Sequence, residues 1–140
     1  MSTAMFAALF FTVALLVTTT YFIMGSIPLL VLKHDTPLDA RFVRGFFNTY
    51  YVAAFASAMA TAISLACAGR PGLAVGAAVL ALIAVVLRRK IIPKMDALGA
   101  QIQSNVMDAI PGFRRTHVIA IVINVAQLVA IVGSLITFGK

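Results

Sequence analysis

The chain has 140 residues, of which 62% are hydrophobic and 11% are charged. Soluble domains are roughly 45–50% apolar and about 25% charged, and a small soluble monomer with this excess would expose large apolar patches. The composition therefore excludes an ordinary soluble domain and predicts one integral membrane domain over residues 1–140.

The chain is also basic, with 11 Lys and Arg residues against 4 acidic residues. In a soluble protein this balance would indicate nucleic-acid binding. Here the cations flank apolar stretches, as they do in membrane proteins, so we expect the lipid bilayer and not nucleic acid as the partner. The single cysteine, Cys67, excludes an intrachain disulfide and a dithiol redox pair.

Four stretches are long and apolar enough to cross a bilayer, which takes about 20 residues. The first lacks any charge and has no Lys or Arg before it, so we expect a retained helix and not a cleaved signal peptide. The third loses its apolar character after Leu87, so its last turn is expected at the lipid headgroups, with its cations snorkelling. The predicted spans cover residues 5–32, 46–68, 73–92 and 118–138.

The first two connections carry clear local signals. Thr36-Pro37-Leu38-Asp39 is typical of a helix start, because Thr can cap, Pro suits the first helical position and Asp follows three residues after the cap. The helix is expected to run from there into span two, with Gly45 as a candidate bend. Gly69–Gly72, read Gly-Arg-Pro-Gly, predicts a tight turn that makes spans two and three an antiparallel hairpin.

The third connection predicts a helix of its own over about 94–110. Pro93 is expected to end or kink span three, and Pro111-Gly112 to end the new helix. Between them, apolar residues recur at spacings of three and four, which indicates an amphipathic helix on the cytoplasmic interface. The alternative is a cytosolic helix packed against the bundle. The apolar positions are Met95, Leu98, Ile102, Val106 and Ile110.

The distribution of cations predicts the topology. Nine of the 11 lie in or beside the connections after spans one and three, and only Arg70 and Lys140 lie on the other side. The positive-inside rule places both termini outside the cytoplasm, and we interpret the chain as a multi-pass protein of a bacterial inner membrane. The acids and both histidines, His34 and His117, fall on or next to the cytoplasmic side. The nine cations are Lys33, Arg41, Arg44, Arg88, Arg89, Lys90, Lys94, Arg114 and Arg115.

Small residues indicate where helices pack closely, because helices in lipid associate through small side chains. Gly72 and Gly76 have GxxxG spacing at the start of span three. We expect them to face a small-residue stripe on span two across the hairpin, and a homo-oligomer contact through the same faces is the alternative. The stripe comprises Ala56, Ala60, Ser64 and Ala68.

Motifs for several kinds of chemistry are missing from the sequence. There is no CxxC, no HExxH, no glycine-rich phosphate loop, and no acid within a predicted span. Metal, haem and dithiol chemistry are therefore not expected, and the prediction is a protein without a cofactor.

Polar residues near the cytoplasmic ends of the spans are the candidate site. Asn124 lies seven residues after His117, on the same helical face, and Gln127 is one turn further. Asn124 and Gln127 are costly in hydrocarbon unless they face the bundle or a cavity. A pocket with apolar walls and a few polar groups is the usual small-molecule site. The tyrosines could instead form an interfacial belt, and the arginines could be topology anchors. Asn124 could join helices, and His117 could be a capped or satisfied residue at a helix end. The candidates are His117, Arg89, Asn48, Tyr51, Arg88, Asn124, Gln127 and Tyr21.

At these residues the chain resembles the anthrone-oxygenase-like family of small four-helix membrane proteins, most of unknown function. The likeness lies in Gly25 and Pro28 near the end of span one and in Phe46-Phe47-Asn48-Thr49-Tyr50-Tyr51 at the start of span two. It continues in Arg89-Lys90-Ile91-Ile92-Pro93, and in Arg114-Arg115-Thr116-His117 followed by Asn124.

The resemblance implies oxidation of a phenolic or anthrone-type substrate by O2 without metal or flavin. His117 would be the base, Arg89 would stabilise the developing oxyanion, and Asn48 or Asn124 would orient the carbonyl. The first hypothesis is therefore a membrane enzyme or lipophilic-ligand binder with a pocket in the cytoplasmic half. The second is a non-enzymatic accessory or assembly subunit that contacts a partner protein, and the third is a small transporter. A cavity lined by His117 and Asn124 would favour the first, and solid packing there the second.

Overall fold

The computed structural model describes residues 1–33 and 35–138, and within these ranges it contains helices and turns and no strand. Each helix of the described ranges is long and apolar enough to cross a membrane, which confirms the all-α class with four helices of spanning length. The topology prediction above included His34 and Lys140, and both residues lie outside the described ranges. The helices are α1 (Thr3–Leu29), α2 (Pro37–Cys67), α3 (Pro71–Gln103) and α4 (Ala109–Phe138).

The start of α2 confirms the capping prediction. The Thr36 side chain accepts a hydrogen bond from the Asp39 backbone N–H at 3.3 Å, and Pro37 occupies the first helical position. Both features satisfy or remove backbone donors that a helix start leaves without partners. The helix then continues without interruption through Gly45 to Cys67, so the end of the first connection and span two form one element.

The connection between α2 and α3 is the predicted tight turn. Gly69 has φ +72, in the left-handed region that glycine enters at little cost. Its N–H donates to the Ala66 carbonyl at 3.1 Å, and the Arg70 N–H donates to the Leu65 carbonyl at 2.9 Å. This Schellman pattern closes α2, and Pro71 then starts α3.

The predicted separate helix over 94–110 is wrong. Helix α3 continues through Pro93 to Gln103, and α4 begins at Ala109. Proline removes only one hydrogen bond from the helix, and burial of the side chains beyond it compensates for that loss. Those buried side chains are Met95 and Ile102, and Ile91 and Ile92 are buried directly before the proline.

An asparagine ends α3, whereas the Pro111-Gly112 pair, which was predicted to end the separate helix, lies within α4. Asn105 has φ 62, and the Val106 N–H donates to the Gln101 carbonyl at 2.9 Å. Asparagine is the residue that most often replaces glycine in this left-handed position. Pro111 lies in the first turn of α4, where backbone N–H groups have no partner within the helix.

The helices pack in a ring. Helix α2 contacts α1 and α3, and α4 also contacts α1 and α3, so that α2 and α4 lie across from each other. The α2–α3 packing is the most extensive, and it uses alanines that allow close approach. These alanines include Ala54, Ala58 and Ala62 on α2 and Ala74, Ala77, Ala81 and Ala84 on α3.

The predicted small-residue faces are therefore rotated from the observed packing face. Ala56 of the stripe is exposed, and Gly72 and Gly76 are exposed on α3. A helix turns by 100° per residue, so an error of two positions moves a stripe to another face. Alanine occupies half of the positions from 53 to 68, so the sequence pattern does not determine which face of span two packs against span three.

Gly25 has a packing role in α1. A Cβ atom at this position would lie 2.7 Å from the Phe46 ring. The phenylalanine of α2 thus packs directly on the α1 backbone, and it stacks on Phe22 with ring centroids 5.6 Å apart. Helix α1 remains helical through Pro28 to Leu29, so this close approach accounts for the glycine within a continuous helix.

Large apolar side chains cover the outside of every helix in the described ranges. In water such a surface would favour aggregation. One example from each helix is Phe10, Phe42, Leu82 and Ile136, exposed by 62%, 60%, 61% and 65% respectively.

Candidate functional site

The centre of the bundle holds two polar side chains of α4. His117 and Asn124 are both fully buried, at 0% exposure. Their spacing of seven residues is two helical turns, and Ala120 and Ile121 between them are buried on the same face. The prediction that Asn124 faces the bundle interior is confirmed, and His117 lies on the same face.

Asn124 is held by two hydrogen bonds. The Tyr50 hydroxyl on α2 donates to Asn124 Oδ1, and Asn124 Nδ2 donates to the Ala120 carbonyl at 2.7 Å. A buried amide is costly without partners, and here the donor and acceptor sides of the amide are both used.

Aromatic rings surround this hydrogen bond. Phe22 of α1 stacks on Tyr50 with centroids 4.0 Å apart, and it also contacts Phe47 edge-on at 4.8 Å. His117 contacts the Phe47 ring edge-on, with centroids 4.9 Å apart and planes at 84°. We call Phe22, Phe47, Tyr50, His117 and Asn124 the central cluster.

Tyr51 lies beside the central cluster but differs from Tyr50 in its hydroxyl. Its side chain is 1% exposed, and its hydroxyl finds no hydrogen-bond partner among the residues that the structure describes. Both tyrosines are therefore core residues and not members of an interfacial belt. The site prediction named Tyr51 and left out Tyr50, because adjacent residues on a helix point about 100° apart and the sequence does not say which one meets Asn124.

The predicted cationic residues lie away from this interior. Arg88 is exposed, and its Nε donates to Asn48 Oδ1 at 3.0 Å, which joins α3 to α2. Arg89 is also exposed, whereas His117 is fully buried. The structure thus puts the proposed base and the proposed oxyanion-stabilising cation in different environments.

Two further contacts join the helices at the end of the bundle that carries the cations. Arg44 of α2 binds Asp96 of α3 through two hydrogen bonds of 2.8 and 3.2 Å. Arg114 of α4 donates to the Leu30 carbonyl after α1 at 2.8 Å. Sequence reasoning missed these contacts because the partners are 52 and 84 residues apart along the chain.

A cavity opens between α3 and α4 in the other half of the bundle. Its volume is about 510 Å³, and residues of all four helices line it. Gln127 belongs to its wall, together with Gly72 and Gly76 of α3. The pocket expected around His117 and Asn124 is thus a packed cluster, and neither residue lines this cavity. The physical reason is residue size, because aromatic rings fill one half of the bundle and alanine, glycine and threonine leave space in the other.

The cavity wall is almost entirely apolar in character. The hydroxyls of Thr12, Thr61 and Ser134 each donate to a backbone carbonyl of their own helix, at 2.7, 2.8 and 2.7 Å. These hydroxyls therefore have their hydrogen-bonding needs met without an occupant. Gln127 contributes the wall's side-chain amide, whose Nε2 has no partner within the described part of the chain.

Tyr21, the remaining site prediction, lies on the outer surface. It is 71% exposed and lines a groove between α1 and α2. Within residues 1–33 and 35–138, no group of three or more His, Cys, Asp or Glu side chains is arranged to hold a metal ion.

No family model, no curated protein and no solved structure matches this chain. The resemblance to the anthrone-oxygenase-like family stays a prediction from the quoted residues.

Removal of the hydroxyl is predicted to change stability at one of the two buried tyrosines and not at the other. Tyr50→Phe leaves Asn124 Oδ1 buried without its interhelical donor, so we expect it to lower the free energy of unfolding by about 1–3 kcal/mol. Tyr51→Phe removes a hydroxyl that has no partner, so we expect no loss of stability. Reversible unfolding of both variants in detergent micelles measures their free energies of unfolding. Equal losses of stability in the two variants would show that the Tyr50–Asn124 hydrogen bond does not stabilise the fold.

Proposed function

We propose that this chain is a multi-pass membrane protein that holds a hydrocarbon-rich small molecule within its helix bundle. The observation that carries the proposal is the cavity of about 510 Å³ between α3 and α4, which reaches residues of all four helices. Ligand pockets commonly have volumes of about 300–1,000 Å³ with mostly apolar walls.

Helix length and surface character support placement in the bilayer. The shortest helix, α1, has 27 residues, and at about 1.5 Å per residue it exceeds the hydrocarbon thickness of about 30 Å. The exposed apolar side chains described above are favourable against lipid tails and unfavourable in water. An antiparallel arrangement accounts for the contact of the end of α1 with the start of α4 through Leu30 and Arg114.

Charge supports the orientation. Contacts among Arg44, Asp96, Arg88 and Asn48 gather cationic parts of α2 and α3 at one end of the bundle. We place this end in the cytoplasm of a bacterium, with both termini on the outer side of the inner membrane.

Cysteine labelling tests this orientation, and the native Cys67 serves as the control. Cys67 is exposed near the α2–α3 turn, so a membrane-impermeant maleimide should label it from the outside. In a Cys67→Ser background, Asp35→Cys and Ser104→Cys should be labelled only after the membrane is permeabilised. The opposite pattern would invert the topology, and labelling of all three from one side would exclude an antiparallel four-span arrangement.

The chemistry of the wall favours an apolar occupant. Because the wall hydroxyls are satisfied within their own helices, an occupant gains mainly from burial of its own apolar surface. The absence of side chains at Gly72 and Gly76 leaves the space, since a Cβ at either position would meet no atom within 4 Å. An acyl chain, an isoprenoid or a planar aromatic molecule fits these conditions.

Binding is better supported than catalysis. The oxygenase activity requires a base within reach of the substrate. His117 is enclosed by the central cluster, and Arg89 is exposed on α3. The oxygenase therefore stays a hypothesis carried by the resemblance, and it requires the central cluster to open.

Solid packing around His117 and Asn124 favours a second candidate, a non-enzymatic accessory or assembly subunit. In that case the apolar outer surface would contact a partner protein, and a helix of that partner would fill the α3–α4 cavity.

A matched pair of glycine substitutions tests the binding function. A diazirine-bearing fatty acid, photoactivated in membranes, should crosslink to residues 72–83 and 123–134 of the wild-type chain. Gly76→Leu fills the cavity and should reduce this crosslinking several-fold. Gly133→Leu is the control, because Gly133 is also exposed and unobstructed but lies outside the cavity wall.

Equal crosslinking in the wild type and both variants would contradict a binding cavity. Absence of crosslinking, together with recovery of a stoichiometric partner protein after chemical crosslinking, would favour the accessory subunit.

A further inference from the structure

A second concave surface lies on the outside of the bundle, between α1 and α2. Its volume is about 730 Å³. Residues one helical turn apart on α2 form one wall, and a stripe of α1 forms the other. The α2 wall comprises Leu38, Arg41, Phe42, Gly45, Phe46, Thr49, Tyr50 and Ala53, and the α1 wall comprises Val17, Thr18, Tyr21 and Phe22.

This groove has one charged residue in its lining, at one end. Arg41 is exposed in the first turns of α2, and no acidic side chain lines the groove among the described residues. The nearby Arg44 already forms an ion pair with Asp96. Arg41 forms no ion pair within the described ranges, so its guanidinium is available to an external anion.

The rest of the groove is apolar and runs toward the middle of the membrane. From Arg41 to Ala53 the α2 wall extends about 18 Å, which is slightly more than half of a hydrocarbon core of about 30 Å. Phe42 and Phe46 give the wall aromatic surface, and Gly45 leaves room between them because a Cβ there would meet no atom within 4 Å. The Tyr21 and Thr49 side chains add hydroxyls along its length.

We propose that this groove is a binding site for one anionic phospholipid of the cytoplasmic leaflet. Arg41 binds the phosphate, and one acyl chain lies along the groove toward Ala53. Arginine suits this role because its planar guanidinium donates two parallel hydrogen bonds to phosphate oxygens. The site rests on the membrane placement proposed above and is independent of the α3–α4 cavity.

Charge complementarity decides for an anionic over a zwitterionic headgroup. The end of the bundle that carries Arg41 also carries eight of the chain's other cations, against four acids. A choline or ethanolamine group would bring a positive charge into this surrounding, whereas phosphatidylglycerol brings none. Each basic residue near an anionic lipid surface contributes about 1 kcal/mol.

Native mass spectrometry of the full chain in detergent tests the proposal. The protein is titrated with phosphatidylglycerol or with phosphatidylcholine of the same acyl chains. We expect the first bound phosphatidylglycerol to be favoured at least about five-fold, and Arg41→Gln to abolish that preference. Arg115→Gln is the matched control, because it removes one exposed cation from the same end of the bundle but outside the groove.

A second variant separates the groove from the charge. Gly45→Leu keeps Arg41 and fills the apolar channel, so it should weaken binding of both lipids several-fold. Each variant should keep the melting temperature of the wild type in lipid-free detergent, since Arg41 and Arg115 are exposed and a Cβ at Gly45 would meet no atom within 4 Å. Equal loss of preference in Arg41→Gln and Arg115→Gln, or unchanged binding in Gly45→Leu, would overturn a specific site and leave only the general field of the cationic end.

Discussion

The hydrogen bond between Tyr50 and Asn124 crosses the centre of the bundle. It joins α2 to α4, which lie across from each other in the ring of helices and do not pack along their length. A tyrosine is long enough to span this distance and carries a hydroxyl at its tip, so it brings a donor to a buried amide that would otherwise be costly. Phe22 of α1 stacks on the same ring, so three of the helices meet at this bond.

The two halves of the bundle differ because different side chains fill the centre of each half. Where Phe22, Phe47 and Tyr50 occupy it, the polar atoms of α4 are enclosed. In the other half the inward residues are small, as at Ala62 and Ala77, and the same ring of helices leaves a cavity. The central cluster therefore joins the helices in one half of the bundle, and the apolar half leaves the cavity to which the proposed binding function is assigned.

Sequence patterns predicted the elements well where a single local interaction decides them. The Thr36 cap, the Gly69 turn and the apolar length of each span are such cases, and all are present. The prolines predicted a helix boundary that the structure does not have. Burial of Met95 and Ile102 stabilises the part of α3 that follows Pro93. A proline inside a helix pattern indicates a boundary only when nothing beyond it is buried.

The site was harder to predict because it depends on the rotation of each helix and on distant partners. The polarity of Asn124 within an apolar span predicts its interior position, and the spacing of seven residues puts His117 on the same face. The sequence does not show which tyrosine binds Asn124, because Tyr50 and Tyr51 are adjacent and have the same side chain. The α3–α4 cavity results from small residues on all four helices at once, and no local signal marks such a coincidence.

A double-mutant cycle on Tyr50→Phe and Asn124→Leu tests the central claim most directly. Each single variant leaves one polar group buried without its partner, and the double variant removes both groups. Unfolding in detergent micelles should therefore show a coupling energy of about 1 kcal/mol or more between the two positions. Additive effects of the two substitutions would contradict the account, since they would mean that the bond across the bundle contributes nothing to its stability.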